Sequence, residues 1–134
     1  MHEKRAFAAS EISPKGDLFV VGGHTGTSSG VLLDSVEVLR LDDDDDSSEE
    51  HNHHFKRWTH GPSLPEPLMA GQLITINDCE MAYIGGINAD MVPSEKIYIY
   101  NCHTHDWVRG PDLSKHNLCN KYQFCNHNVH DNVY

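Results

Sequence analysis

The chain has 134 residues, with 10 Lys and Arg against 20 Asp and Glu, and a formal net charge of −10. This length is typical of one small domain with a single core. Binding to nucleic acid or to an anionic membrane needs clustered Lys and Arg, so the acidic balance argues against both classes of partner. Seven of the acidic residues lie within residues 42–50, and without them the charge of −10 falls to −3.

The sequence also argues against export and membrane insertion. No apolar stretch approaches the roughly 18 residues that a membrane-spanning helix needs. Residues 1–5 lead into no hydrophobic segment typical of a secretory signal. We therefore expect a cytosolic or nuclear protein and take it as cytoplasmic, where thiols stay reduced. The cysteines, too few for a disulfide scaffold, are Cys79, Cys102, Cys119 and Cys125.

Short β-rich runs separated by Gly, Pro, Asn and Asp predict an all-β fold of eight strands. In chain order, the strands are expected at residues 6–12, 17–21, 35–41, 56–60, 70–76, 80–84, 96–101 and 106–109. The best helical candidate, residues 31–41, has apolar residues in both the helical and the strand period. We assign it to a loop followed by a strand.

Two parts of the sequence occur twice. Residues 18–23 recur as 81–86, an apolar run that ends each time in a glycine pair. Residues 58–64 recur as 107–113, each beginning with Trp and placing Gly, Pro and Leu at the same offsets. Self-similarity at a fixed period is typical of repeat architectures. The motif residues are Gly22, Gly23 and Trp58 in the first copy and Gly85, Gly86 and Trp107 in the second.

The spacing between the copies locates an insertion. The glycine pairs are 63 residues apart and the tryptophans 49, a difference of 14. Two of the extra residues fall before the third expected strand and twelve after it. Those twelve lie essentially within the acidic, His-rich stretch 42–55. Without this insertion, a repeat of about 49 residues remains.

This pattern resembles the kelch repeat family, and the resemblance covers nearly all of residues 5–113. The family's repeats are about 50 residues long, and each forms one four-stranded blade of a β-propeller. In that geometry, the glycine pair permits positive φ where backbones crowd. A tryptophan early in the last strand fills the wedge between blades.

The resemblance divides the chain into three parts. Residues 1–65 form the first repeat with its insertion, 66–113 form the second, and 114–134 are the start of a truncated third repeat or a disordered tail. Propellers typically use 4–8 blades, and two blades leave exposed edges. Further kelch repeats or self-association are therefore needed to close a propeller, and we expect the chain to be part of a longer protein.

Four short segments contain residue types used in catalysis or metal binding. Residues 26–30 match the G-x-S-x-G pattern, but no βαβ unit surrounds them, so a Gly/Ser loop is expected. The cluster His51, His53 and His54 is expected to bind metal only weakly. The Cys and His residues at 102–105 and 119–130 lack zinc-finger spacing. We therefore predict no enzyme activity, no metal site and no cofactor.

The kelch resemblance implies a non-catalytic module for protein–protein interaction. It places the partner site at one end of the propeller, on the loops 23–34 and 86–95 and the inter-blade turns that follow Trp58 and Trp107. Proteins of this family serve as substrate receptors of cullin-type ubiquitin ligases or as cytoskeletal adaptors. Two alternatives stay open: a fragment of a propeller enzyme such as a sugar oxidase or isomerase, and a metal-responsive protein that uses the His-rich loop. The candidate partner contacts are His24, Thr25, Ser28, Ser29, Asn88 and Asp90.

Overall fold

The computed structural model describes residues 1–41 and 57–113. The insertion at 42–55, with its histidine cluster, and the segment 114–134 lie outside the described residues.

Within the described residues, the chain forms eight β-strands and no helix, which confirms the predicted all-β class. The strands are β1 (Ala9–Ile12), β2 (Leu18–Val21), β3 (Val36–Leu39), β4 (Trp58–Gly61), β5 (Gln72–Asn77), β6 (Glu80–Ile84), β7 (Ile97–Asn101) and β8 (Asp106–Arg109). They form two four-stranded antiparallel sheets, in the orders β1-β2-β3-β4 and β5-β6-β7-β8. Each sheet is built from one contiguous part of the chain, because antiparallel neighbours need only short connections.

The first strand of each sheet begins later than the sequence predicts, β1 by three residues and β5 by two. Phe7 and Ala70, which precede these strands, have positive φ values of 54° and 56°. A left-handed residue interrupts the extended backbone. The regular ladder therefore starts only after each of them.

The two sheets repeat one another residue by residue. Isolated bridges extend each sheet beyond β2 and β6, and they join Ala6–His24, His24–Leu32, Met69–Ile87 and Ile87–Pro93. Ala6 and Met69 are equivalent and lie 63 residues apart, as do His24 and Ile87. Leu32 and Pro93, near the end of the loop that leads to the third strand, are 61 residues apart. The offset is 49 in the fourth strands, where Trp58 and Trp107 pair with Leu39 and Tyr100.

The second glycine of each pair lies close to the backbone of a neighbouring segment. Gly23 has a φ of 100° and Gly86 a φ of 89°. A Cβ added to Gly23 would lie 2.7 Å from the carbonyl oxygen of Ala6, and one added to Gly86 would lie 2.7 Å from that of Met69. Positive φ and a close backbone neighbour together require glycine at both positions.

Alternate residues of a strand point to opposite sides of its sheet, and we call these sides the forward face and the back face. The forward-face residues are Phe19, Val21 and Val36 in the first sheet and Ala82, Ile84 and Ile97 in the second. The back-face residues are Leu18, Val20 and Glu37 in the first sheet and Met81, Tyr83 and Tyr98 in the second. The forward face of the first sheet packs on the back face of the second and forms the main core.

Side chains also hydrogen bond across the boundary between the sheets. Their donor and acceptor pairs are Trp107 Nε1 with the Pro62 oxygen (2.8 Å), Thr75 Oγ1 with the Ile12 oxygen (2.8 Å) and Lys15 Nζ with the Cys102 oxygen (2.9 Å). The rings of Phe19 and Tyr100 lie 5.1 Å apart in the same interface. Polar and aromatic contacts therefore fix how the sheets sit on one another.

The back face of the first sheet holds a buried ion pair. Arg5 Nη2 lies 2.8 Å from Glu37 Oε2, and the two side chains are 1% and 0% exposed. The Arg5 guanidinium also donates to the carbonyl oxygens of Gly22 at 2.9 Å and Ser35 at 3.0 Å. These bonds replace part of the hydration that both ions lose on burial.

The second unit fills the same two positions without an ion pair. Leu68 is equivalent to Arg5 and Tyr98 to Glu37, and both are buried. The Tyr98 hydroxyl donates to Glu66 at 2.7 Å. At these two positions, the core between the sheets therefore has no ion pair, whereas the back face of the first sheet has one.

Among the described residues, no helix has the length and apolar character needed to cross a membrane.

Candidate functional site at the loop end

Two loops lie at the same end of the paired sheets, which we call the loop end. They join β2 to β3 and β6 to β7, and the isolated bridges at His24 and Ile87 anchor them to the residues that precede β1 and β5. The two units are also joined here, because the Ala70 N–H donates to the Phe7 oxygen at 2.8 Å and the Gly23 N–H to the Leu68 oxygen at 2.9 Å. The loop end is therefore one continuous surface shared by both units.

Two of the predicted contacts in the first loop, His24 and Thr25, shape the loop itself. The Gly26 N–H donates to His24 Nδ1 at 2.9 Å, and the Val31 N–H donates to Thr25 Oγ1 at 3.0 Å. The His24 ring also lies against Gly30, where an added Cβ would be 2.1 Å from the ring. Their side chains are half-buried and hold the loop in one conformation.

Asn88 has the same role in the second loop. Its Oδ1 accepts from the N–H groups of Asp90 at 3.0 Å and Val92 at 3.1 Å, a side-chain turn that Asn forms readily. The other three predicted contacts, Ser28, Ser29 and Asp90, are exposed at the loop tips. The six predicted residues thus lie at one end of the molecule and divide between loop-shaping and exposed positions.

The sequence reasoning missed the apolar residues of this surface. Val31 and Val92 occupy equivalent positions, each beside a bridge residue, and they are 63% and 52% exposed. Phe7 and Met91 are also exposed, by 69% and 64%. The sequence indicates that Val31 and Val92 are equivalent, because they are 61 residues apart, the offset that also relates the third strands of the two units, but it does not indicate that they are exposed.

Phe7 occupies an unfavourable backbone conformation. A bulky residue with positive φ is uncommon, and the conformation costs on the order of 1–2 kcal/mol. The surrounding backbone holds it in place, because Ala6 and His24 exchange two hydrogen bonds of 2.8 Å and the Phe7 oxygen accepts from Ala70. The second unit has the small Ala70 at the equivalent position with nearly the same φ. The first unit thus presents an exposed aromatic ring where the second has a methyl group.

An open groove of about 410 Å³ lies beside the second loop. It is lined by Glu66, Asn88, Val92, Pro93, Ser94, Glu95, Lys96, Arg109 and Asp112. Lys96 Nζ lies 3.3 Å from Glu66 Oε1, and Arg109 Nη2 lies 2.7 Å from Asp112 Oδ1. The groove is therefore polar, with charges of both signs that are paired within it.

A buried tyrosine supports one side of the groove. Burial raises the pKa of Tyr98 to about 12, and the hydrogen bond to Glu66 and the charge of that residue add to the increase. The Tyr98 hydroxyl therefore stays protonated at neutral pH and donates to Glu66. This bond, together with Lys96, fixes the Glu66 carboxylate at the groove.

The described part of the chain holds no group of three or more His, Cys, Asp or Glu side chains that could bind a metal ion. In the 102–105 segment, His105 is instead a hydrogen-bond partner, with its Nδ1 lying 3.0 Å from the Tyr100 hydroxyl. The other sequence-derived sets, at 51–54 and 119–130, lie outside the described residues.

Comparison with known proteins assigns the chain to no group. No protein-family model matches the sequence, and no curated protein is significantly similar to it.

Proposed function

We propose that this chain supplies two adjacent blades of a kelch-type β-propeller and binds a protein partner through its loop end. The repeat motifs of the sequence support the kelch assignment, and the residue-by-residue equivalence of the two sheets agrees with it. The role is non-catalytic and cytoplasmic, as a substrate receptor of a ubiquitin ligase or as a cytoskeletal adaptor.

The apolar forward face of the second sheet supports the propeller. In the first unit, the forward face is covered by the back face of the second. The equivalent forward face of the second sheet carries a further apolar cluster of Ala82, Ile97 and Ile99, which are 2%, 0% and 4% exposed, and no third sheet of the described chain packs on it. A sheet must bury its apolar face against another layer. A further blade that packed on the second sheet, as the second sheet packs on the first, would cover this forward face.

The exposed apolar side chains of the loop end carry the binding proposal. Soluble monomers rarely expose contiguous apolar patches, and those that do often use them for protein recognition. Val31 and Val92 are exposed at matched positions of two units, and Phe7 is held outward by a strained backbone. Strained residues cluster at binding and active sites. The polar groove beside Val92 provides paired charges at the rim, as in protein interfaces with an apolar centre.

A variant with both valines changed to aspartate tests this proposal. The tagged full chain and the Val31→Asp/Val92→Asp variant would be cross-linked in cells, and the retained proteins quantified by mass spectrometry. We expect the partners retained by the wild type to be lost from the variant. Ile12→Asp is the matched control, because Ile12 is also an exposed apolar residue, at 42%, but lies at the opposite end of its sheet.

Circular dichroism and urea unfolding would show whether each variant is folded. The binding proposal is wrong if a folded valine variant retains the same partners as the wild type, or if the Ile12 variant loses them equally.

A further inference from the structure

Two cysteines face each other at the end of the second sheet opposite the loop end. The last paired residues of β6 and β7 are Glu80 and Asn101. The next residues outward are Cys79, in the turn after β5, and Cys102, directly after β7. The Cys102 N–H donates to the Cys79 oxygen at 2.8 Å, one residue beyond the end of the ladder, while the Cys79 N–H donates to Asn77 Oδ1 at 2.9 Å.

This pairing brings the two thiols within reach of one another. Hydrogen-bonded residues directly opposite on antiparallel strands have Cα atoms about 5.5 Å apart, and their side chains lie on the same face of the sheet. Disulfides in proteins join Cα atoms about 4.4–6.8 Å apart. The typical spacing of antiparallel neighbours therefore falls within the range that a disulfide spans.

The two thiols differ in exposure. Both are free. Cys102 is 3% exposed and belongs to the core between the sheets. Burial raises the pKa of the Cys102 thiol, and although Lys15 lowers it, the neighbouring Cys79 thiol raises it further. Cys79 is half-buried and donates through sulfur to Asn77 Oδ1 at 3.3 Å. The thiolate is the nucleophile in disulfide exchange, so Cys79 is the thiol that an outside reagent reaches first.

We propose that Cys79 and Cys102 form a reversible intramolecular disulfide when the protein meets a disulfide oxidant such as oxidised glutathione. The Cys79 thiol loses its proton, and the thiolate attacks one sulfur of the oxidant, displacing one glutathione thiolate and leaving a mixed disulfide. The Cys102 thiol then loses its proton, and that thiolate attacks the Cys79 sulfur and displaces the second glutathione. The protein loses two electrons and two protons, and one oxidised glutathione becomes two reduced glutathiones.

The bond joins the start of β6 to the end of β7. Lys15 already ties this end of the second sheet to the first unit through the Cys102 oxygen, so the disulfide adds a covalent link to an existing structural contact. It lies at the opposite end from the loops. The inference therefore stands independently of the proposed partner binding.

The test uses the reduced full chain. The protein is incubated with oxidised glutathione at neutral pH, quenched in acid, alkylated with N-ethylmaleimide and digested without reduction for mass spectrometry. We expect a peptide pair joined through Cys79 and Cys102, two hydrogens lighter than the separate peptides and released by dithiothreitol. The Cys119→Ser/Cys125→Ser variant should give the same product. In the Cys102→Ser variant, Cys79 should stop at the glutathione adduct.

The same oxidation in strong urea is the second measurement, because the fold is what brings the thiols together. The cross-linked yield should be several-fold lower in the unfolded chain than in the folded one. The proposal is overturned if the folded wild type stops at a glutathione adduct or keeps both thiols free. It is equally overturned if either cysteine pairs mainly with Cys119 or Cys125, or if unfolding leaves the yield unchanged.

Discussion

The buried Arg5–Glu37 ion pair leads to the sharpest prediction about stability. Glu37→Gln keeps the shape of the side chain but removes its charge, leaving the guanidinium of Arg5, which is 1% exposed, without its anion. Breaking a buried ion pair in this way costs about 3–5 kcal/mol. A domain has about 5–15 kcal/mol in total. We therefore expect the Glu37→Gln variant to lose a large fraction of the free energy of unfolding at 25 °C.

The acid dependence of stability gives a second readout of the same pair. Burial alone would raise the pKa of Glu37, but backbone N–H groups of His2 and Glu3 donate to the carboxylate. With the hydrogen bond and charge of Arg5, they lower the pKa below its usual 4.5. A carboxylate whose pKa is lower in the folded than in the unfolded state stabilises the fold at pH values above its unfolded-state pKa. This stabilisation is lost as the pH falls through the folded-state pKa. The wild type should lose stability below about pH 4.5, whereas the Glu37→Gln variant lacks that component.

The second unit supplies the compensating change. Leu68 and Tyr98 occupy the equivalent positions, and Glu3 is equivalent to Glu66, the acceptor of the Tyr98 hydroxyl. The double variant Arg5→Leu/Glu37→Tyr should therefore recover most of the loss, because replacing a whole buried pair by apolar residues is often neutral or stabilising. Urea unfolding followed by tryptophan fluorescence measures all variants. A loss under about 1 kcal/mol for Glu37→Gln would refute the reasoning. So would a double variant whose loss of stability equals the sum of the losses of Arg5→Leu and Glu37→Tyr.

Two further predictions concern the interface between the sheets. Trp107→Ala should cost about 3–5 kcal/mol in urea unfolding, because Trp107 packs on the core and donates to the Pro62 oxygen. The equivalent Trp58→Ala should cost less in the same assay, because Trp58 is not part of the core between the sheets. Equal losses of stability would contradict this difference in packing. Tyr98→Phe should flatten the alkaline dependence of the urea midpoint. The raised pKa of Tyr98 means that its contribution, complete below about pH 10, is lost as the pH rises toward about 12. Identical declines in both proteins would show that the Glu66 bond contributes nothing.

The sequence predicts the strand order and the repeat because these depend on local rules. Positive φ beside a neighbouring backbone requires glycine, so Gly23 and Gly86 mark the same point in both units. The apolar runs before them are too short for helices and end in turn residues. The strand starts were less predictable. Nothing in the identity of Phe7 indicates positive φ, which is set by hydrogen bonds to distant residues.

The candidate site was harder to predict than the fold. Polar residues on loops are reasonable guesses for partner contacts, but a polar side chain can equally satisfy the backbone of its own loop. His24 and Asn88 do so through Nδ1 and Oδ1. Conversely, Val31 and Val92 resemble ordinary core residues in sequence, and only the three-dimensional arrangement shows that they are exposed. Glu37 shows the same limit, because a charged residue in a strand is usually solvated.

The equivalent residues Met1 and Leu64 differ in burial. Leu64 is 3% exposed between the sheets, whereas Met1, 63 residues earlier at the same position of the first unit, is 52% exposed. Residues 64–68 lie inside an interface and residues 1–5 lie along the back face of the first sheet, where no other sheet of the described chain packs.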